Sequence, residues 1–255
     1  MAKQRADTLV VDQGLAPTRA RAQALILAGS VVRVHSQQRI DKAGEMVPAD
    51  EVLGLLGEPM PYVSRGGIKL AHALDHFSLD VTGHTCLDVG ASTGGFTDCL
   101  LQRGARYVYA LDVGHNQMAW SLRQDSRVRV IERTHVRLAA DEVVPEPVGV
   151  VVIDVSFISL RQVLPSVTRW AAPHALLVAL IKPQFEVGPA NIGKGGIVTS
   201  QEARQGAIDA VTAVAQALDL TVLGITPSPI TGAKGNQEFL MAAHFRPSHH
   251  TGDPR

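Results

Sequence analysis

Three apolar runs, each ending on an ionisable residue, constrain the fold of this chain more than any other feature. Val108-Tyr109-Ala110-Leu111 runs into Asp112, Val150-Val151-Val152-Ile153 into Asp154, and Leu176 through Ile181 into Lys182. Continuous Val/Ile/Leu stretches of this kind are what strands of a helix-covered parallel sheet look like. They alternate with segments of helical character. Strands are expected at 86–89, 107–111, 128–131, 149–153 and 175–181, and helices at 95–103, 116–123, 159–170 and 201–218. The alternation predicts an α/β fold with a doubly wound, mostly parallel sheet. Two further runs, 220–226 and 238–245, are joined by a loop and predict a closing antiparallel hairpin. In open α/β sheets the ligand sits beyond the carboxyl ends of the strands. Three charges at that one edge therefore point to chemistry, against the plainer reading that each marks a strand surfacing.

The first 54 residues follow another pattern: helix, turn, helix, then short strands. Thr18 can cap a helix whose apolar positions Ala22, Leu25 and Ile26 fall at helical spacing and which ends at Gly29. Val31 to Val34 reads as a short strand. Residues 1–44 hold seven Lys/Arg against three Asp, a local basic excess inside a chain whose formal net charge is zero. Arg19 and Arg21 lie in the first helical turn, where the macrodipole disfavours cations, so a phosphate partner is one reading and two solvated arginines the other. Gly54, Gly57, Pro59 and Pro61 mark a linker, giving a small domain at 1–54, a linker at 55–62, an α/β domain at 63–245 and a loose tail at 246–255. A further helix is expected at 68–76, carrying Lys69.

Composition narrows the function classes. Cys86 and Cys99 are the two cysteines, without a CxxC pair or clustered histidines, so neither a disulfide framework nor a metal centre is expected. The polar start and the lack of any stretch of about 20 apolar residues argue against a signal peptide or membrane span and for a cytoplasmic protein without a membrane partner.

Cys86 through Phe96 reads strand, glycine turn, helix start. A phosphate-binding P-loop would need Lys-Ser/Thr after its last glycine, but Gly95 is followed by Phe96 and Thr97. A dinucleotide turn would need G-x-G-x-x-G, and here the spacing is G-x-x-x-G-G. Gly90-Ala91-Ser92-Thr93-Gly94 matches a hydrolase nucleophile elbow, with Asp154 and His244 in the right order, but His244 falls inside a strand and not on a loop. A non-phosphate adenosine ligand remains. Asp112, 22 residues after Gly90 at the next strand tip, can bind ribose hydroxyls. This combination suits S-adenosyl-L-methionine. Lys182 stands in Ile181-Lys182-Pro183-Gln184-Phe185-Glu186, where the proline ends the strand. Partial burial and a second cation turn a lysine into a usable base, and Lys69 could be that cation, with Asp154 and Glu238 orienting the pair. Two ordinary Lys–carboxylate salt bridges are the competing reading of the same four residues.

Four blocks carry a resemblance: Tyr62 to Leu70, Leu87 to Phe96, Asp154 to Leu160 and Lys182 to Glu186. Together the chain resembles the TlyA family of ribosomal RNA 2′-O-methyltransferases, often labelled hemolysins, whose catalytic domain is similar to that of the FtsJ methyltransferases. The resemblance implies a Rossmann-like class I methyltransferase domain with a terminal antiparallel strand, preceded by an S4-like RNA-binding domain. It implies a catalytic tetrad on Lys69, Asp154, Lys182 and Glu238. Lys182 would take or share the proton of a ribose hydroxyl, Lys69 would stabilise the alkoxide, and Glu238 would hold the lysine pair. S-adenosyl-L-methionine would meet Asp88, Gly90, Ala91, Ser92, Gly94, Phe96, Asp112, His135 and Asp154. Ribosomal RNA in ribosomal subunits is the implied partner, with Lys3, Arg5, Arg19, Arg21, Ser64 and Arg65 as RNA contacts and cytidine as the target.

The chain departs from the family in three places. Val32 to Gln37 replaces a Val-Asn-Gly hairpin, His135 stands where an asparagine is typical, and Met60-Pro61-Tyr62 lacks a basic-aromatic linker. A non-catalytic ribosome-binding factor and a membrane-lytic protein are the rival readings. The intact tetrad argues against the first, and the lack of an apolar span or strongly amphipathic basic helix argues against the second.

Overall fold

The computed structural model describes residues 3–36, 38–56, 60–232 and 235–246. Beyond Arg246 the expected tail lies outside the described residues, as do Gln37 and the linker residues Gly57 and Pro59. The chain divides into two compact units, Met1–Met60 and Pro61–Arg255.

The first unit runs β1 (Lys3–Arg5), α1 (Ala6–Asp12), α2 (Arg19–Leu27), β2 (Val31–Arg33), β3 (Met46–Pro48) and β4 (Leu53–Leu55). Two antiparallel ladders, β1 with β3 and β2 with β4, cover a core of Leu9, Val10, Ile26, Val31, Ile40, Val47 and Leu53. Leu55, expected to open the linker, pairs with Val31 as the last residue of β4. Thr18 caps α2, its hydroxyl accepting the Arg21 N–H at 3.3 Å. The awkward position of Arg19 in the first turn finds a local answer. Asp7, wholly buried, accepts hydrogen bonds from Arg5 at 2.9 and 3.0 Å, Arg19 at 3.0 Å and Gln23 at 2.8 Å. Chiefly the Arg5 bond, helped by Gln23 and Arg19, holds the Asp7 carboxyl well below the usual carboxylate range despite its burial.

The second unit contains α3 (Gly66–His76), β5 (Thr85–Val89), α4 (Gly95–Gln102), β6 (Tyr107–Leu111), α5 (Trp120–Arg123), β7 (Val128–Ile131), β8 (Val148–Ile153), α6 (Leu160–Val167), β9 (Ala171–Ile181), α7 (Pro183–Glu186), α8 (Gln201–Ala217), β10 (Leu220–Pro227) and β11 (Phe239–Phe245). Its sheet has seven strands in the order β10-β11-β9-β8-β5-β6-β7. Strands β5 to β9 pair in parallel, and β11 inserts antiparallel between β9 and β10, so the expected closing hairpin is present. Every residue of β5 is buried, because apolar clusters cover both faces of the sheet: Leu87, Ile153, Leu164 and Leu177 on one side, Cys86, Leu100, Val152 and Leu180 on the other.

Two elements differ from expectation for local reasons. The helix expected at 116–123 shrinks to Trp120–Arg123, since Glu132 draws the preceding segment into a loop: it accepts the Asn116 N–H at 2.8 Å, lies 2.9 Å from His115 Nδ1 and pairs with Arg123. Strand β9 begins at Ala171, ahead of the expected 175, but its pairing with β8 slips between Val148 and Val150, where His174 adopts a φ of 62°.

Strand order reverses between β5 and β8, whose neighbours are β6 and β9 respectively. The crevice at such a switch point is where open α/β sheets hold their ligands.

Candidate active site

A cavity of about 750 Å³ opens at this switch point, walled by the glycine turn after β5, the loops after β8 and β9, the start of α3 and the segment entering β11. Glycine is required at the turn. Gly90 has φ of 86°, and a Cβ there would lie 2.4 Å from the Asp154 carbonyl oxygen, so the two strand tips meet backbone to backbone. A Cβ on Gly95 would lie 2.2 Å from Ser64 Oγ, which brings the start of α3 against the start of α4.

All four tetrad candidates line this one cavity. Lys69 projects from α3 and Glu238 precedes β11; Lys69 Nζ donates to Glu238 Oε2 at 2.5 Å, both side chains being nearly buried. Lys182 at the tip of β9 stands 2.7 Å from Asp154 Oδ1 at the tip of β8 and donates to Ser156 Oγ at 2.8 Å. Each lysine thus has its own carboxylate. Among the described residues Glu238 forms an ion pair with Lys69 and not, as the resemblance implied, with both lysines. The two lysines and two carboxylates offset one another and Arg65 leaves the wall with a positive excess, the Asp154 side of the Lys182 pair being the more open to solvent.

Of the cofactor candidates, Gly90, Ala91, Ser92, Phe96 and Asp154 line the cavity; Asp88, Gly94, Asp112 and His135 are not part of its wall. Asp112, one strand further on, receives the Ser92 N–H at 2.8 Å and the Gly114 N–H at 2.6 Å, tying its carboxylate to the glycine turn. Asp88 is fully buried inside β5, where one oxygen accepts from Thr97 at 2.7 Å and the other has no partner among the described residues. Burial pushes its carboxyl up to about 7, opposed by the Thr97 hydrogen bond and reinforced by the charge of Asp154. Gly94 sets the α4 start, and His135 Nδ1 accepts the Arg137 N–H at 3.3 Å within its own turn.

Comparison with known proteins adds the decisive observation: residues 62–245 match the FtsJ-like methyltransferase family. The chain belongs to that family. It is 43% identical over 237 residues to the 16S/23S rRNA (cytidine-2′-O)-methyltransferase TlyA of Mycobacterium tuberculosis, covering 93% of this chain and 88% of that one. It is also 41% identical over 244 residues to Hemolysin A of Brachyspira hyodysenteriae, covering 94% and 99% of the two chains. A solved structure from Streptococcus thermophilus carrying a hemolysin name superposes with a TM-score of 0.74 at 44% identity, over 96% of this chain and 90% of that one. The sheet and its closing antiparallel strand are therefore those of a class I methyltransferase. Among the described residues no helix is long and apolar enough to cross a membrane, and no group of three or more His, Cys, Asp or Glu could hold a metal ion.

In this FtsJ-like domain the loops after β8 and β9 contribute more than the sequence reading assigned them. Phe157 is 92% exposed at the cavity and has φ of 65°, a conformation that costs a bulky residue about 1–3 kcal/mol. Its ring packs against Phe185 at 5.3 Å. Gln184 Oε1 is buried on the wall with no hydrogen-bond partner among the described residues. Asn236 staples the segment facing β11, accepting the Val198 N–H and donating to the Gly196 carbonyl, both at 2.9 Å. The signal for Ser156, Phe157, Gln184 and Phe185 was present, since each lies two or three residues past a charged strand tip; their placement depends on how two distant loops meet. Ser64 and Arg65 line the cavity, Arg65 exposed at the start of α3.

Proposed function

We propose that this chain transfers a methyl group from S-adenosyl-L-methionine to the 2′-oxygen of a cytidine ribose in ribosomal RNA. The observation that carries the reading is the convergence of two Lys–carboxylate pairs on one cavity beside the glycine turn. The printed activity of the Mycobacterium tuberculosis relative supports the target atom and nucleotide.

The residues present fit the cofactor. Residues 90–93 offer backbone at the cavity wall, and Asp112, fixed by the Ser92 and Gly114 N–H groups, retains lone pairs for ribose hydroxyls. Asp154 and Glu238 offset a cationic sulfur. When bound, the cofactor supplies an electrophilic methyl group on a sulfonium. As a neutral amine, Lys182, held by Asp154 and Ser156, would take the hydroxyl proton while the ribose oxygen accepts the methyl group and the donor sulfur keeps the electrons of its bond to carbon. Lys69, fixed by Glu238, donates a hydrogen bond to the developing oxyanion. Holding the ribose hydroxyl in place against the methyl donor would supply much of the acceleration.

A nucleotide inside a duplex must turn outward to reach such a cavity. Phe157 offers an exposed aromatic face at the mouth for stacking. The small S4-like unit supplies Lys3, Arg5, Arg19 and Arg21, and the cavity rim Ser64 and Arg65, for phosphate contacts that position the RNA without reading its sequence. The site of action is then the cytoplasm, with ribosomal subunits as substrate.

The test is transfer of a tritiated methyl group to separated ribosomal subunits, followed by primer extension at low dNTP. Label on a ribose with a corresponding stop is expected. Label on a base atom would reject the chemistry, and no label in either subunit would reject the substrate.

A further inference from the structure

Two stretches of chain carry the Lys182–Asp154 pair: residues 154–161, leaving β8 for α6, and residues 182–187, leaving β9 through α7. The contacts of Lys182 with Asp154 and Ser156 join them on the cavity side. A second connection lies four residues further along, on the side away from the cavity. There the Glu186 side chain is 1% exposed; its Oε1 accepts the Leu160 N–H at 2.7 Å and its Oε2 accepts the Ser159 hydroxyl at 2.5 Å. Arg161 completes the junction, donating to the Glu186 carbonyl at 3.1 Å and lying 3.5 Å from Oε2. Between the two connections, Phe157 and Phe185 pack ring to ring.

A buried carboxylate needs its charge answered. Here the answer comes from the first N–H of α6, the Ser159 hydroxyl, the positive end of the helix and the Arg161 guanidinium 3.5 Å away. Glu186 therefore caps a helix from a different loop, and in doing so fixes the spacing of the two loops. Ser159 by itself accepts the Arg161 N–H at 3.2 Å, an ordinary cap that would leave the loops unlinked. With both ends joined, the path from Asp154 to Ser159 has little freedom, and Phe157 is held at its positive φ.

We propose that Glu186 is a positioning residue for methyl transfer, setting the distance between Lys182 and Asp154 and the presentation of Phe157 without touching substrate. The inference rests on the proposed function for its catalytic readout and on the junction alone for its structural one. In Glu186→Ala, hydrogen exchange at residues 156–161 accelerates while β8 keeps its protection. With cofactor and ribosomal subunits, kcat falls by about 10²-fold, the effect of misplacing reacting groups by roughly 1 Å, while the Kd for cofactor stays within about twofold, since the glycine turn is untouched. Glu186→Gln, which can still accept the Leu160 N–H and donate to the Ser159 hydroxyl, restores most of kcat. Should Glu186→Ala fail to fold, Glu186→Asp, one methylene short, is expected to show the same split in milder form.

A variant with a lowered melting temperature but wild-type kcat per folded molecule would overturn the proposal. So would unchanged exchange at 156–161, or a cofactor Kd that weakens in step with kcat. Wild-type protein inactive on both subunits would refute the proposed substrate instead, and the exchange measurement would still decide whether Glu186 joins the loops.

Discussion

Buried carboxylates meet cations in both units, with opposite consequences. In the small unit, Asp7 collects Arg5, Arg19 and Gln23 around a carboxylate with no exposed surface. In the large unit, Lys69–Glu238 and Lys182–Asp154 each pair one lysine with one acid on the wall of a cavity of about 750 Å³. The first arrangement satisfies its charge completely and ties a strand and a helix together. The second leaves lysine hydrogens and carboxylate lone pairs facing space that a substrate can enter. What adjoins a charge cluster, more than which residues form it, sets whether it has hydrogens and lone pairs left to offer a ligand.

The comparison can be broken most directly at Lys182. Lys182→Ala is expected to lower kcat for methyl transfer by about 10²–10⁴-fold, with cofactor affinity measured by calorimetry changed little. Methyl incorporation that survives the substitution would make the pair structural like Asp7. Phe157→Gly tests the strained aromatic at the mouth. It relieves the positive φ, so the melting temperature should move by no more than about 2–4 °C, while kcat/KM for RNA drops by the equivalent of about 1–3 kcal/mol of lost stacking.

Asp7→Asn approaches from the other side. The small unit should lose about 1–3 kcal/mol in denaturant unfolding, a figure held down because the Arg5 and Arg19 side chains are 46% and 55% exposed, and cofactor affinity should be unaffected. The pH dependence has a definite sign. The folded-state pKa of Asp7 lies below its unfolded value, so its contribution is complete above about pH 4 and fades as pH falls through the folded value. Wild type and Asp7→Asn should therefore converge in strongly acidic melts; a constant gap would show that the charge was not the cause. The smallest effect is expected at Arg21, exposed on α2. Arg21→Ala should reduce the salt dependence of RNA binding by about one in log–log slope, and an unchanged slope would remove it from the phosphate contacts.

Much of the large unit was legible from the chain. The runs ending in Asp112, Asp154 and Lys182 identified their strands because a strand buried on both faces is apolar along most of its length and carries charge chiefly where it emerges, Asp88 inside β5 being the exception. Loops were less legible. Nothing in residues 112–119 says that Glu132, from the next strand tip, will hold them out of a helix. Nor does the chain announce that the arginine in the first turn of α2 has a partner of its own, because Asp7 lies twelve positions away across a turn.

By itself the sequence determined the order and type of most elements, the glycine turn and the identities of the two lysines and two acids on the cavity wall. These are local matters of periodicity, of backbone freedom and of where charge can stand. Only the tertiary structure decided which lysine meets which acid, that Phe157 faces solvent with its backbone strained, and that Glu186 locks two loops far apart in sequence. Those facts depend on distances of a few ångströms between segments up to 169 residues apart, and hydrogen bonds and ion pairs are sensitive to separation on that scale.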